Sequence, residues 1–319
     1  MRHDTFWLTA RDTATLHVNH WFPEQPPKAV VMISHGVAEH SARYARLAQA
    51  LVTAGYAVYA HDQRGHGRTA ERGVLGHFAD QDGWNKVVND LADLNRHIRQ
   101  QHPGAPIFLL GHSMGSYISQ TYLIEHSDEL QGTILSGSNY QPVALYRVAR
   151  LLARFESWRQ GSTGRSALLE FLSFNSFNKA FTPTRTTHDW LSRDPREVDK
   201  YVEDPLCGFR WTNQLWSDML GGMQHNTPHS HLARIDSALP LLVIGGERDP
   251  VSEGKRLENL ANALRQAGNR DVQVKIYPDA RHELFNECNR EEVTADLLQW
   301  LDQTLARSPA ATEARTQAA

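Results

Sequence analysis

The stretch "LLGHSMGSYIS", residues 109–119, places Ser113 between two glycines directly after an apolar run. Read alone, Ser113 is either an ordinary helix N-cap, where serine is common, or a residue lifted clear of a sheet by a sharp strand-to-helix turn. In the second reading Gly111 and Gly115 are needed because backbone segments come close there and a β-carbon at either position would clash. The turn would also set the hydroxyl at the positive end of the following helix. The surrounding chain decides between the two.

Six apolar runs of strand length are spaced along the chain: "AVVMISHG" (29–36), "YAVYAHD" (56–62), "PIFLLGHS" (106–113), "GTILSG" (132–137), "PLLVIGGERD" (240–249) and "VQVKIYP" (272–278). Continuous apolar runs belong to strands buried on both faces, as in parallel sheets. Amphipathic segments at about 41–54, 84–102, 114–127, 253–268 and 289–306 separate them, and this alternation predicts an α/β fold with a mostly parallel central sheet flanked by helices. Ahead of the runs, "TFWLTARDTATLHVNHWFP" (5–23) has aromatic and β-branched residues on both sides of Arg11-Asp12, the pattern of an antiparallel hairpin.

The alternation breaks between about 139 and 236, where Arg, Phe, Trp, Asn and Ser dominate. The expected organisation is therefore a core of residues 1–138 and 237–306 carrying a helical cap insertion, 139–236, with 307–319 ("RSPAATEARTQAA") as a disordered tail. Within the insertion, "LYRVARLLARFESW" has apolar residues at 145, 148, 149, 152 and 155, a helical spacing, with Arg147, Arg150 and Arg154 on another face. That basic face is either solvated or drawn to anionic head groups at a membrane surface.

Bulk properties narrow the function classes. Net charge is −3 with signs interspersed, which gives no footprint for nucleic acid. Cys207 and Cys288, the two cysteines, have neither metal-site spacing nor the density of a disulfide framework. "MRHDTFWLTARD" has no apolar h-region, and no run approaches transmembrane length. The expectation is a soluble, cytoplasmic globular protein.

A serine hydroxyl becomes a nucleophile only when a base takes its proton and a third group holds that base. Asp249 closes the "PLLVIGGERD" run before Pro250, and His282 follows the last run in "VKIYPDARHELFNE". One helix and one strand separate them, a single crossover that returns the chain to the same sheet edge. Each has an ordinary alternative: Asp249 as a turn former, with Glu247 competing for its role, and His282 as one of seventeen histidines. The order Ser, Asp, His, each at a strand end, favours the catalytic reading. Two oxyanion donors would be the backbone N–H groups of Met114 and of Val37, the latter in "SHGVAEHSARY" after a strand-ending glycine. "HNTPHSH" (225–231) groups three histidines without a companion carboxylate or cysteine, so no metal and no cofactor is expected, and Arg64 reads as a loop brace.

In combination, "HGVAEHSARY", "HDQRGHGRT", "GHSMGS" and "GERDPV…RHELFNE" resemble the monoacylglycerol lipase and lysophospholipase branch of the α/β-hydrolases, bacterial type. "SFNKAFTPTRTTHDWLSRDPREVDKYVEDPLCGF" extends the resemblance into the insertion. It implies Ser113 as nucleophile, Asp249 as orienting acid, His282 as base, Val37 and Met114 as oxyanion donors, and a helical cap over an acyl pocket. Val37 departs from the small residue such relatives often carry, which would narrow the pocket mouth. The implied activity is hydrolysis of single-chain acyl esters, monoacylglycerol or lysophospholipid, with peripheral membrane contact through the cap. The alternatives are a broad short-chain carboxylesterase, an aminopeptidase-like amide hydrolase using Glu156, Glu170 or Glu203 to hold an amine, and a ligand-binding receptor on the same scaffold.

Overall fold

The structure is a computed structural model that describes residues 1–307, with the backbone alone at 174–176. The tail expected at 307–319 thus lies, from 308 on, outside the described residues. Eight strands form one sheet: β1 (Arg2–Thr9), β2 (Thr15–Phe22), β3 (Ala29–Ser34), β4 (Tyr56–His61), β5 (Ile107–His112), β6 (Gly132–Ser136), β7 (Leu241–Gly246) and β8 (Val272–Tyr277). The helices are α1 (Ala45–Thr53), α2 (Gly83–Gln101), α3 (Met114–His126), α4 (Val143–Gln160), α5 (Ala167–Phe177), α6 (Pro195–Glu203), α7 (Asn213–His225), α8 (His229–Leu232), α9 (Lys255–Gln266) and α10 (Arg290–Ala306).

The spatial order is β1-β2-β4-β3-β5-β6-β7-β8. The hairpin β1–β2 joins β4 antiparallel, and all pairs from β4 to β8 are parallel. Each of the five inner apolar runs serves two cores at once, because successive side chains leave opposite faces of the sheet, whereas the run at 272–278 forms the edge strand β8, with Gln273 exposed and Val274, Lys275 and Ile276 half-buried. Val30, Met32 and Leu109 pack with α2 and α3, whereas Val31, Ile33, Phe108 and Leu110 pack with α1 and α10. Leu241 and Val243 meet α9 on one side while Leu242 and Ile244 meet α10 on the other. This double burial is why those runs read as continuously apolar.

The topology fixes where a site can form. From β3 the chain goes to β4 on one side, then crosses to β5 on the other, so the strand order reverses between β3 and β5. Such a switch point leaves a crevice outside the carboxyl ends of the two strands. The loop starting at His35 and the turn at Ser113 both open into it.

Between β6 and β7 the chain is helical, α4 to α8, with α7 packed on α4, α2 and α3. The spacing expected for 145–158 is indeed helical, but its apolar residues do not turn inward together. Leu145, Val148, Leu151, Phe155 and Trp158 are all exposed, Trp158 at 81% and Val148 at 66%. The buried side of α4 is built from Tyr146, Ala153 and Glu156, whose carboxylate is held by Arg159, Gln160 and the Ser166 hydroxyl. Arg150 lies against Gly221 of α7 and Arg147 and Arg154 face solvent. The outward face of α4 is therefore more apolar than basic.

Candidate active site

Ser113 occupies a backbone conformation rare for a residue with a side chain, φ 51° and ψ −121°. Such a position costs about 1–3 kcal/mol and persists only where its surroundings over-determine it. Here they do. Its N–H donates to Ser136 O at 2.9 Å, and its carbonyl accepts from the Ser116 N–H at 2.9 Å and the Ser116 hydroxyl at 2.6 Å. The side chain itself makes no capping hydrogen bond, which removes the N-cap reading.

The glycines behave as the turn requires. A β-carbon on Gly115 would lie 2.0 Å from Ser34 O, and one on Gly111 would lie 2.3 Å from Ser119 Oγ and 2.6 Å from Gly115 O. Gly36 faces Ser113 directly, since its β-carbon would stand 3.2 Å from Ser113 Cβ.

Asp249 and His282 meet in the interior. His282 Nδ1 lies 3.0 Å from Asp249 Oδ1, and both side chains are almost wholly buried. Asp249 also accepts the Val251 N–H at 2.9 Å and the Ser252 hydroxyl at 3.1 Å. Burial alone would raise the Asp249 carboxyl, but the charge and hydrogen bond of His282, with the Val251 and Ser252 donors, hold it below its ordinary value. Burial would likewise lower His282, yet the Asp249 carboxylate, helped by Glu283 and Glu39, outweighs it and the imidazole is raised. With Nδ1 committed to Asp249, Nε2 is the nitrogen left for chemistry. Glu247, the competing acid, is exposed and accepts the Asp279 N–H.

Several neighbours were not legible as site residues. Gly137, at φ 59°, clears space for His282: a β-carbon there would be 3.0 Å from His282 Cε1 and 3.2 Å from His112 Cε1. His112 lies with its ring centroid 4.7 Å from that of His282, and burial, helped by His282, pushes it down to about 4, so it stays neutral. Trp190 covers His282 with its ring at 4.9 Å.

The loop after β3 is braced from below. Glu39 Oε1 accepts the Gly36 N–H at 2.5 Å and the Tyr44 hydroxyl at 2.9 Å, and Glu39 Oε2 accepts from Arg43 at 2.8 Å. Arg43 also reaches Glu283, the residue after His282, through both terminal nitrogens at 2.5 and 2.7 Å. Despite its burial, Glu39 is pulled down to about 2, chiefly by Arg43. A buried glutamate is tolerated only when paired, and here the partner is Arg43. Val37 follows Gly36, and among the described residues no acceptor meets its N–H. Met114 is the first residue of α3, so its N–H has no partner inside the helix.

Val37, Met114, Ser113 and His282 line one side of a cavity of about 570 Å³, and Phe171, Trp216, Met219 and Met223 are among those lining the rest. Of the three glutamates considered for an amine, Glu170 alone borders this cavity, with Arg210 Nε 2.6 Å from its carboxylate. Glu156 is spent on Arg159 and Ser166, and Glu203 is exposed. Arg64 braces a loop, held by Asp12 and Asp90. In the histidine-rich segment His231 Nδ1 bonds to His225 O, and His229 Nε2 to Gln266 O.

A doubly wound sheet with a strained serine at its switch point and a buried acid–histidine pair beside it defines the α/β-hydrolase fold. Within it, the chain belongs to the family described as serine aminopeptidase, S33, which matches residues 25–289. It is 32% identical to the monoacylglycerol lipase of Mycolicibacterium smegmatis over 88% of this chain and 90% of that one. It is 30% identical to the monoglyceride lipase of Rattus norvegicus over 94% and 90% of the two chains. The carboxyl esterase from Bacillus coagulans solved in complex with glycerol superposes with a TM-score of 0.88, at 25% identity, over 96% of this chain and 99% of that one. The protein is a carboxylic ester hydrolase.

Proposed function

We propose that the chain hydrolyses esters of a single acyl chain, monoacylglycerol or lysophospholipid, through Ser113, His282 and Asp249. Ser113 Oγ attacks the acyl carbonyl while His282 Nε2 takes its proton, and the imidazolium is stabilised by Asp249. The Val37 and Met114 N–H groups receive the oxyanion. His282 then delivers the proton to the leaving alcohol, and water releases the acyl group by the same route. The observation that carries this reading is the buried His282–Asp249 pair opening on the same cavity as the strained Ser113. No metal or cofactor has a role in these steps.

The lipid assignment is supported by the cavity and by the region above it. The cavity has the size of pockets that enclose most of a small ligand. Residues 139–236 act as a cap, since α5 and α7 supply much of the wall facing Ser113. Phe171 both lines the cavity and stands 56% exposed, its helix neighbours Leu168 and Leu172 are exposed as well, and α4 carries an exposed apolar stripe of its own. That stripe favours a peripheral contact in which the cap rests on a lipid surface and an acyl chain passes inward. Among the described residues no helix is long and apolar enough to cross a membrane. The two free cysteines are consistent with a cytoplasmic site of action. The amide-hydrolase alternative is disfavoured because the carboxylates on the cavity wall are already matched, Glu170 by Arg210 and both Glu39 and Glu283 by Arg43.

The test is hydrolysis of p-nitrophenyl esters of increasing chain length beside monoacylglycerol and lysophosphatidylcholine. Rates rising with chain length support the proposal. Rates confined to acetate and butyrate assign the protein to the short-chain carboxylesterases instead.

A further inference from the structure

Outside the catalytic cleft, one group of side chains brings three donors together from two distant segments. His40 ends the loop after β3, and Asp204 and Cys207 lie in the turn after α6. His40 Nε2 is 2.8 Å from Asp204 Oδ2, and the ligating atoms of all three residues lie within 4.8 Å of one another. Among the described residues no other such group of three occurs.

We propose that His40, Asp204 and Cys207 form a binding site for a divalent cation of the zinc class, with water completing the coordination. An imidazole, a carboxylate and a thiolate are the donor types zinc combines. Bonds of about 2.0–2.3 Å to a tetrahedral ion separate neighbouring ligands by about 3.3–3.8 Å. The His40–Asp204 pair must therefore open by roughly half an ångström, and Cys207 need close by no more than about 1–1.5 Å.

The turn is organised for this before any ion arrives. Asp204 Oδ1 accepts the Leu206 N–H at 2.8 Å, and Asp204 O accepts the Cys207 N–H at 3.0 Å, which folds Cys207 back toward the carboxylate. Asp204 Oδ2, the oxygen facing His40, is left for a cation. Access is present as well: the Asp204 side chain is 29% exposed, while Cys207 is buried beneath it.

The local charge favours a cation. Arg43 is the nearby positive group, but Glu39 and Glu283 both pair with it, so with Asp204 the neighbourhood carries an excess of negative charge. Binding is a simple exchange: the cation displaces the proton of the Cys207 thiol to water as the metal–sulfur bond forms. His40 gives up its hydrogen bond to Asp204 and offers the Nε2 lone pair.

The position gives the site its interest. Ala38 O accepts the Gly208 N–H at 3.0 Å and the Tyr201 hydroxyl at 2.9 Å, so the 201–208 segment already rests on the loop that carries Val37. A bound ion would add a metal clip between the same two segments.

The experiment uses Co(II) as a visible probe on the full chain, with displacement by Zn(II). The expected result is one Co(II) per chain with a thiolate-to-cobalt charge-transfer band that zinc abolishes. The band should vanish in Cys207→Ala, survive in Cys288→Ala, and require at least tenfold more cobalt in His40→Ala and Asp204→Asn. Circular dichroism of each variant establishes that it is folded. If Cys207→Ala does not fold, the His40→Ala and Asp204→Asn titrations decide. No band in the folded wild type at saturating cobalt, a band that persists without Cys207 or depends on Cys288, or an affinity indifferent to both His40 and Asp204 overturns the proposal.

Discussion

Replacing Asp249 by asparagine separates the charge of the acid from its geometry. In the wild type, Asp249 Oδ1 accepts both the Val251 N–H and His282 Nδ1, and Oδ2 accepts the Ser252 hydroxyl. An asparagine amide NH₂ at the Oδ1 position would confront the Val251 donor, so the amide oxygen must take that place. The NH₂ then meets Ser252, whose hydroxyl rotates to accept. His282 keeps its tautomer, and only the negative charge is lost. Two unit charges about 4 Å apart interact by about 4 kcal/mol at an effective dielectric constant near 20. At about 1.4 kcal/mol per factor of ten, kcat/KM for p-nitrophenyl butyrate should fall by roughly three powers of ten. The pH profile gives the second readout. His282 must be neutral to act, so activity is lost as pH falls through its pKa, which Asp249 holds above the ordinary value of about 6.5. In Asp249→Asn the burial that lowers the imidazole is opposed only by Glu283 and Glu39, which act on it more weakly than Asp249 does, and the acidic limb should move to lower pH. Wild-type kcat/KM in the variant, or an acidic limb displaced upward, would refute the reasoning.

Further consequences can be checked independently. In Gly115→Ala the added methyl meets Ser34 O, and the shift it forces should cost roughly 1–3 kcal/mol of stability, read from the urea midpoint, along with most of the activity. His61, His66 and His112 are fully buried and lowered by that burial to about 3, 3 and 4, so the folded protein keeps them neutral. The unfolded chain takes up protons below about pH 6.5, so stability present above that pH drains away as pH falls toward 4, by about 2 kcal/mol per histidine at pH 5; a Tm unchanged between pH 7 and 5 would contradict this. Leu151→Ser with Trp158→Ser should lower hydrolysis of monoacylglycerol held in vesicles several-fold while sparing soluble p-nitrophenyl butyrate. Equal losses on both substrates would dissociate α4 from lipid contact.

The sheet was legible because each central strand is buried on both faces, and most of the helices between them because one face is apolar; the segment expected to be amphipathic at 114–127 is instead buried on nearly every side as α3, since it lies under α7 as well as on the sheet. The Ser113 turn was legible for a different reason: Gly111 and Gly115 are demanded by backbone contacts that glycine alone tolerates. What escaped depends on pairing across the fold. Nothing in the sequence marked Glu39, Arg43 and Glu283, and their burial is sustained only because a segment 240 residues away supplies the partner. His40 and Asp204, 164 residues apart, gave no ligand spacing for the same reason. Gly137 ended an apolar run with no sign that it makes room for His282. On α4 the helical period was correct, but period alone does not say which face is inward. Polar pairing at Glu156 and packing on α7 turned several apolar residues to solvent.

The most direct test is covalent labelling with a fluorophosphonate probe, followed by peptide mapping and by ester hydrolysis assays of Ser113→Ala. The account predicts a single adduct on Ser113 and, in the variant, neither labelling nor turnover. An adduct on another residue, or ester hydrolysis that survives in Ser113→Ala, would contradict it.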